Sequence, residues 1–172
     1  KNFYWLIMKR KSNIIKILVF CLLFNFSFGQ QRETDSLKTL LVQAATPIEK
    51  IKINYELGSR FNKSIQDSAL SYYKAGLKLS EELSNDTLIA SGYFGIGYSN
   101  YNAGKSKEAT SSLFKSLTLF EKHYNKKGLV RCLQALSLAY KEQKIFGTAM
   151  DYANRAMKMA QESGDKKQIG IS

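Results

Sequence analysis

The sequence is poor in three residue types that shape the possible chemistry of a protein. Its 172 residues include one proline (Pro47), one histidine (His123) and two cysteines (Cys21 and Cys132). Proline interrupts the hydrogen bonds of a helix, so its near absence favours long helices. So few histidines and cysteines argue against a histidine-based catalytic triad and a cysteine metal site, and no phosphate-binding glycine loop follows a strand pattern. We therefore predict no enzyme activity, no metal and no cofactor.

The net charge of +12 is unevenly distributed along the chain. Residues 1–29 contain five basic residues and no acidic one, which leaves +7 on the remainder. There the two signs are interspersed, as at Lys105, Lys107 and Glu108, and this pattern is typical of a solvated surface. We expect no nucleic-acid partner. Binding to nucleic acid or to the envelope surface, driven by the basic excess alone, is the alternative.

Residues 8–29 have the three parts of a signal peptide. Residues 9–11 are basic, residues 14–24 are almost entirely apolar, and Ser27 and Gly29 place small side chains where signal peptidase accepts no larger ones. We therefore expect cleavage after Gly29 and export of the chain to the periplasm or the cell envelope.

Two other interpretations of this N-terminal segment stay open. An uncleaved membrane anchor would use residues 14–28, which are fewer than the ~20 residues that span a bilayer. A lipoprotein would use Cys21, although the preceding Phe20 is bulky for a lipidation motif. After cleavage Cys132 would be the only cysteine, so no disulfide could form within the chain, and its apolar neighbours predict a buried side chain.

The sequence repeats with a period of forty residues. Three similar segments begin with alanine and end, seven residues later, with a small residue: 69–76, 109–116 and 149–156. Polar linkers recur at the same step, at Asn85, Asn125 and Asp165. A single helix pair cannot bury its apolar face alone, so such a period predicts stacked pairs.

Cap residues and helix-breaking residues predict where the helices begin and end. Thr46 and Glu49 form a capping box around Pro47, and Asp86 is expected to cap another helix. The predicted organisation has four parts. Residues 1–29 are upstream residues and a signal peptide, and residues 30–46 form a short helix, from Asp35 to about Ala45, with a linker. Residues 47–163 form three helix pairs (47–84, 86–124 and 126–163), and residues 164–172 are the start of a further, truncated repeat.

The sizes of the repeated side chains predict how the helices pack. Small residues let the helices of a pair approach closely: Gly97, Ala109, Ser116, Ser137, Ala149 and Ala156. Large residues are expected to fill the space between layers: Leu113, Leu117, Leu136, Tyr140, Phe146 and Met157.

These positions resemble the signature of the tetratricopeptide repeat (TPR) family over roughly residues 47–163. The matching residues are Leu57, Gly58, Phe61, Ala69, Tyr73 and Gly76 in the first unit, Ile96, Gly97, Gly104, Ala109, Leu113 and Ser116 in the second, and Leu136, Ser137, Tyr140, Phe146, Ala149, Ala153 and Ala156 in the third. The resemblance implies an all-α fold, a right-handed α-α superhelix of antiparallel helix pairs. Asn100 and Glu121 depart from the family's usual aromatic residue and proline. The family period is normally 34 residues, and the forty-residue spacing resembles a variant found in secreted and membrane-bound bacterial signalling proteins of the Bacteroidetes type.

In a TPR solenoid the first helix of each pair lines the concave face, so the resemblance also implies a groove for a protein or peptide. Carried over by position, its lining residues are Lys52, Tyr55, Ser59 and Asn62 in the first unit, Phe94, Tyr98, Tyr101 and Asn102 in the second, and Arg131, Gln134, Leu138 and Lys141 in the third. Tyrosine rings would supply contact area, and amides would hydrogen-bond to a peptide backbone. The alternative for the three aromatic residues of the second unit is ordinary packing between repeats.

The leading functional prediction is an exported TPR scaffold that binds a protein or peptide partner through its concave groove. The alternative is the N-terminal extracytoplasmic sensor region of a longer signal-transduction protein, a histidine kinase or a transcriptional regulator, truncated here. Residues 166–172 resemble the opening of another first helix, which favours truncation. Membrane attachment would then be possible through the missing C-terminal region.

Overall fold

The computed structural model describes residues 32–61 and 66–163, and every regular element in these two ranges is an α-helix. Helix α1 covers residues 32–43. The six helices that follow are α2 (Pro47–Phe61), α3 (Gln66–Glu82), α4 (Asp86–Asn102), α5 (Ser106–Lys122), α6 (Lys126–Glu142) and α7 (Phe146–Ser163). Equivalent helices start forty residues apart, α4 and α6 at Asp86 and Lys126, and α5 and α7 at Ser106 and Phe146.

From α2 to α7, each helix packs against the next one along the chain. Helix α4 also touches α2 on one side and α6 on the other, so the first helices of the predicted pairs form a continuous row. Short connections between packed helices make neighbours antiparallel. The prediction of an all-α array of antiparallel helices is confirmed.

The turns between helices from α3 to α7 share one geometry. Ser84, Gly104, Tyr124 and Lys144 take positive φ values of 52°, 73°, 51° and 60°. The amide of the next residue donates to the carbonyl five residues earlier, as Asn85 N does to Ser80 O at 3.1 Å. This is the Schellman arrangement, which satisfies the last carbonyls of a helix. The left-handed residue recurs every twenty residues, both within and between the predicted pairs.

The helix starts confirm one predicted cap and correct another. Thr46 Oγ1 accepts from the amide of Glu49 at 3.2 Å, and Glu49 Oε2 accepts from the amide of Thr46 at 3.1 Å, so the capping box is present. Asp86, expected to be a cap, is instead the first helical residue of α4. The cap is Asn85, whose side chain accepts from the Leu88 amide at 3.1 Å.

The predicted short helix also differs from the observed one. Helix α1 is already helical at residue 32 and ends at residue 43, whereas the prediction placed it from Asp35 to about Ala45. Asp35 lies inside the helix, where its carboxylate accepts from Lys38 Nζ at 3.3 Å, a contact one turn along the same face.

Two tyrosines, Tyr73 (buried) and Tyr55 (half-buried), hold neighbouring helices together by lying against glycines. A Cβ added to Gly95 of α4 would lie 2.2 Å from Cδ1 of Tyr73, and one added to Gly58 of α2 would lie 2.9 Å from its Cε2. Tyr73, on α3, therefore occupies space that exists only because α2 and α4 both present glycine to it. Tyr55 of α2 is placed in the same way between Gly76 and Gly92. These contacts set the spacing of α2, α3 and α4.

The large residues predicted to fill the space between layers are buried, or partly buried in the case of Tyr140, except on the last described helix. Leu113 and Leu136 are 0% exposed, as expected. Phe146 and Met157 were predicted to fill the space between layers, but they are 63% and 38% exposed, so this prediction is wrong for them. Among the described helices, α6 is the one that packs on α7, and no helix covers the opposite side of α7. Leu117, the equivalent of Met157 forty residues earlier, is 6% exposed because α6 covers α5.

The predicted domain limits keep their status as predictions. The turn within a predicted pair has the same geometry as the turn between two pairs, so the turns do not show where one repeat ends and the next begins. The proposed signal peptide at 1–29 and the further repeat at 164–172 lie outside the described residues.

Candidate functional site

The row formed by α2, α4 and α6 carries the residues predicted to line a groove. On α2, Lys52 and Ser59 are exposed, and Asn62 lies outside the described residues. On α6, Gln134 and Leu138 are partly buried and Lys141 is exposed. Apart from Tyr55, the remaining members form two groups. One is an aromatic row on α4 with Arg131, and the other lines a depression at the end of α4.

The aromatic row consists of Phe94, Tyr98 and Tyr101. Phe94 and Tyr98 stack with ring centroids 6.0 Å apart and an interplanar angle of 12°, and Tyr98 and Tyr101 are 6.0 Å apart at 39°. The spacing of four and then three residues places them along one face of α4. Phe94 and Tyr98 also pack against the buried core cluster, so they contribute to repeat packing as well. All three keep part of their surface exposed.

Arg131 of α6 lies over this row. Its guanidinium carbon is 4.2 Å from the centroid of the Phe94 ring, which is the geometry of a cation–π contact. The side chain is exposed. No carboxylate among the described residues forms an ion pair with Arg131. The contact positions the exposed guanidinium on the ring, and its N–H donors can meet an acceptor on a ligand.

A depression of about 400 Å³ lies at the end of the same row, lined by Tyr101, Asn102, Gly104, Ser106 and Glu142. It brings together the last residues of α4, the first residue of α5 and the last residue of α6. Burial raises the pKa of Tyr101 above its ordinary value, and the negative charge of Glu142 adds to this effect. Tyr101 and Asn102 were predicted to line the groove. Glu142 was missed, although the forty-residue register makes it the equivalent of Asn102.

Tyr55 differs from the other predicted lining residues, because its hydroxyl bonds to other helices of the array. It donates to the carbonyl of Leu88 on α4 at 2.9 Å and lies 2.9 Å from Ser80 Oγ on α3. Burial raises the pKa of Tyr55 to about 12. A ligand would have to break both contacts to reach the hydroxyl, so the hydroxyl serves the packing of helices, and a groove role for Tyr55 stays a prediction.

The thiol of Cys132 is buried as predicted, with 0% exposure. Its Sγ donates to Ser116 Oγ at 3.2 Å, and Ser116 Oγ donates to the carbonyl of Ala90 at 2.7 Å. Burial raises the pKa of the thiol to about 11, so the thiolate needed for nucleophilic attack is scarce at neutral pH. This chain of contacts ties α6, α5 and α4 together.

His123 takes part in a contact between helix ends. Its Nε2 lies 2.9 Å from Asp86 Oδ2, and Lys122 Nζ lies 2.7 Å from the same oxygen. The hydrogen bond from Lys122, followed by that from His123, lowers the pKa of Asp86. The cluster joins the start of α4 to the end of α5, where opposite charges also match the helix dipoles.

The described residues contain neither a candidate metal site nor a helix that could span a membrane. No group of three or more His, Cys, Asp and Glu side chains is placed to hold a metal ion. Over the same part of the chain, no helix combines the length and apolar character needed to cross a membrane.

Comparisons with known proteins support the fold through solved structures. No protein-family model matches the sequence, and no curated protein matches it. A Rap protein complexed with competence and sporulation factor superposes with a TM-score of 0.72 at 19% identity, over 83% of this chain and 40% of that one. Aspartyl phosphate phosphatase F from Bacillus subtilis gives 0.70 at 15% identity, over 80% of this chain and 39% of that one. The TPR domain of Arabidopsis FLU gives 0.63 at 18% identity, over 68% of this chain and 99% of that domain.

These likenesses define the class of the protein. The chain is an all-α, right-handed α-α superhelix with a TPR-type fold. It spans about 40% of the length of the first two structures that it resembles. At identities below 20%, the likeness concerns the fold alone.

Proposed function

We propose that this chain is an exported TPR-type scaffold that binds a protein or an extended peptide on the face formed by α2, α4 and α6. The observation that carries the proposal is the exposed guanidinium of Arg131 held on the Phe94 ring beside Tyr98 and Tyr101. Arginine and tyrosine dominate the energetics of protein interfaces, because they combine contact area with directional donors. The complex of the similar Rap protein with competence and sporulation factor supports a binding role for this fold.

Selection from a random peptide display library on the immobilised chain tests this function. The variants Tyr101→Ala and Arg131→Ala should each reduce the recovery of selected peptides about tenfold, as expected when an interface anchor worth about 1.4 kcal/mol is removed. Tyr124→Ala is the matched control, since Tyr124 is 88% exposed and lies on the turn after α5. Equal recovery by the two test variants and the control would contradict the assignment of the face.

We also propose that residues 8–29 direct export, on the strength of their basic, apolar and small-residue regions. Fusing residues 1–30 to an alkaline phosphatase that is active only outside the cytoplasm measures this directly. Removing residues 14–24 should abolish phosphatase activity, because the apolar region carries the signal. Activity that survives this deletion would count against export by this segment.

The second candidate is the sensor region of a longer signalling protein of the Bacteroidetes-like type. The exposed apolar side chains of α7, Phe146 and Met150 among them, support it, since a further first helix would cover them as α6 covers α5. The reading frame downstream of the codon for Ser172 is the direct test. A membrane-spanning segment followed by a kinase or DNA-binding domain would favour the sensor, and an immediate stop codon would eliminate it.

A further inference from the structure

The depression at the end of α4 has a single charged lining residue. Of Tyr101, Asn102, Gly104, Ser106 and Glu142, only Glu142 carries a formal charge. Its side chain is exposed, and no basic side chain in the described part of the chain forms an ion pair with it. The Glu142 carboxylate therefore shares a concave site with the Tyr101 ring, and its oxygens can accept hydrogen bonds from a ligand. This combination suits a cationic group.

The backbone at this end of the array does not reverse the sign of the site. Helices α4 and α6 both finish here, at Asn102 and Glu142, and each helix C-terminus carries about half a negative charge. Helices α5 and α7 begin here, at Ser106 and Phe146, and each N-terminus contributes about half a positive charge. These four partial charges cancel, so the full charge of Glu142 sets the sign of the site.

The opposite charge lies farther along the same helix. Arg131 and Glu142 are eleven residues apart on α6, a rise of about 16 Å along the axis at ~1.5 Å per residue. The stacked row from Phe94 to Tyr101 runs between them on the neighbouring helix α4. An extended peptide advances ~3.3 Å per residue, so about five residues would cover this distance.

We propose that the Tyr101–Glu142 depression accepts a lysine or arginine side chain of the bound peptide, while Arg131 meets an acidic group about five residues away. The partner is thus a short extended segment with a charge of each sign, and the separation of the two charges fixes its direction on the face. The depression would supply a carboxylate for ion pairing, and the Tyr101 ring would supply a surface for the cation. This inference rests on the proposed peptide-binding function and specifies its ligand.

The display selection separates this inference from the function on which it rests. Wild-type protein should enrich peptides with a basic residue at a fixed position and an acidic residue about five positions away. Glu142→Gln should lose the basic preference but keep the acidic one. Glu82→Gln is the matched control, because it removes the same charge at the exposed last residue of α3 and should leave the basic preference intact.

Defined peptides then measure the effect. A fluorescent peptide with one basic and one acidic residue separated by four alanines should bind wild type about three- to tenfold more tightly than Glu142→Gln. The same peptide with the two charges exchanged should bind wild type more weakly and respond little to the substitution. If wild type and Glu142→Gln select the same basic residues, or if both peptide orders bind equally, the inference is wrong while peptide binding stands. If no library peptide is enriched on wild type, the proposed function fails as well.

Discussion

Replacing Gly95 by alanine tests whether the tyrosine–glycine contacts hold the array together. The added Cβ would lie 2.2 Å from both Cδ1 and Cε1 of Tyr73, far inside the ~3.5–4.0 Å of a normal carbon–carbon contact. The ring cannot retreat easily, because its other face lies against Gly58, where an ideal Cβ would be 2.9 Å from Cε2. Tyr73 is 7% exposed, so solvent offers it no alternative position.

Two opposing terms decide the size of the effect. Alanine is favoured over glycine in a helix interior by about 1 kcal/mol. Overpacking of a filled core costs about 1–3 kcal/mol, and the depth of the clash at Tyr73 places this case at the upper end. Gly95→Ala should therefore lower the free energy of unfolding by about 2 kcal/mol. For a chain of this length, the melting temperature should fall by about 4–8 °C.

Thermal and urea unfolding, followed by circular dichroism, measure this change. Gly147→Ala is the matched control, since a Cβ there meets nothing within 4 Å, and it should be neutral or slightly stabilising. A double-mutant cycle with Tyr73→Ala isolates the contact, because without the ring Gly95→Ala should become neutral or favourable. The reasoning is refuted if Gly95→Ala is no more destabilising than Gly147→Ala, or if it costs the same with and without the Tyr73 ring.

Two further predictions concern pH and the turns. Burial raises the pKa of Tyr73 from 10.0 to about 12 and that of Cys132 from 9.0 to about 11. The unfolded state loses these protons at lower pH than the folded state does. The free energy of unfolding is therefore unaffected below about pH 9, and it falls between about pH 9 and 12 by up to ~1.4 kcal/mol per pH unit for each group. Urea unfolding at pH 10 and 11 should therefore show a shallower decline for Tyr73→Phe than for wild type, and equal slopes would contradict the assignment. In the turns, Tyr124 has a φ of 51° and Gly104 a φ of 73°. Tyr124→Gly should stabilise the protein, and Gly104→Ala should destabilise it, by about 1 kcal/mol each in thermal unfolding; a change of the same sign in both would oppose this account.

The fold was predictable from the sequence because its signals are local and repeated. The capping box at Thr46 and Glu49 fixed the start of α2, and small residues recurring every forty positions indicated stacked helices. The cap of α4 was misplaced by one residue because Asn85 and Asp86 are both good cap residues. Only the structure shows that Asp86 turns toward Lys122 and His123 of α5.

The candidate site remains a prediction, although part of its local geometry follows from the sequence. The helical register correctly placed Tyr98 and Tyr101 on one face of α4. It could not reveal where the Tyr55 ring lies, because this depends on glycines of two other helices, Gly76 and Gly92. Glu142 was missed because its importance comes from the meeting of three helix ends, which no single repeat displays.

The shared geometry of the turns has a consequence for how such a chain can change in length. Each turn residue from Ser84 to Lys144 joins helices in the same way, whether it lies within a predicted pair or between pairs. Insertion or deletion of forty residues would therefore leave an identical turn at the junction. The helices that follow would keep their positions in the array, and their side chains would face the same neighbours. Insertion or deletion of twenty residues would also preserve the turn. From that point onward, however, the second helix of each pair would take the place of the first in the row formed by α2, α4 and α6. The array can thus grow or shrink by whole pairs without any adjustment of its joints.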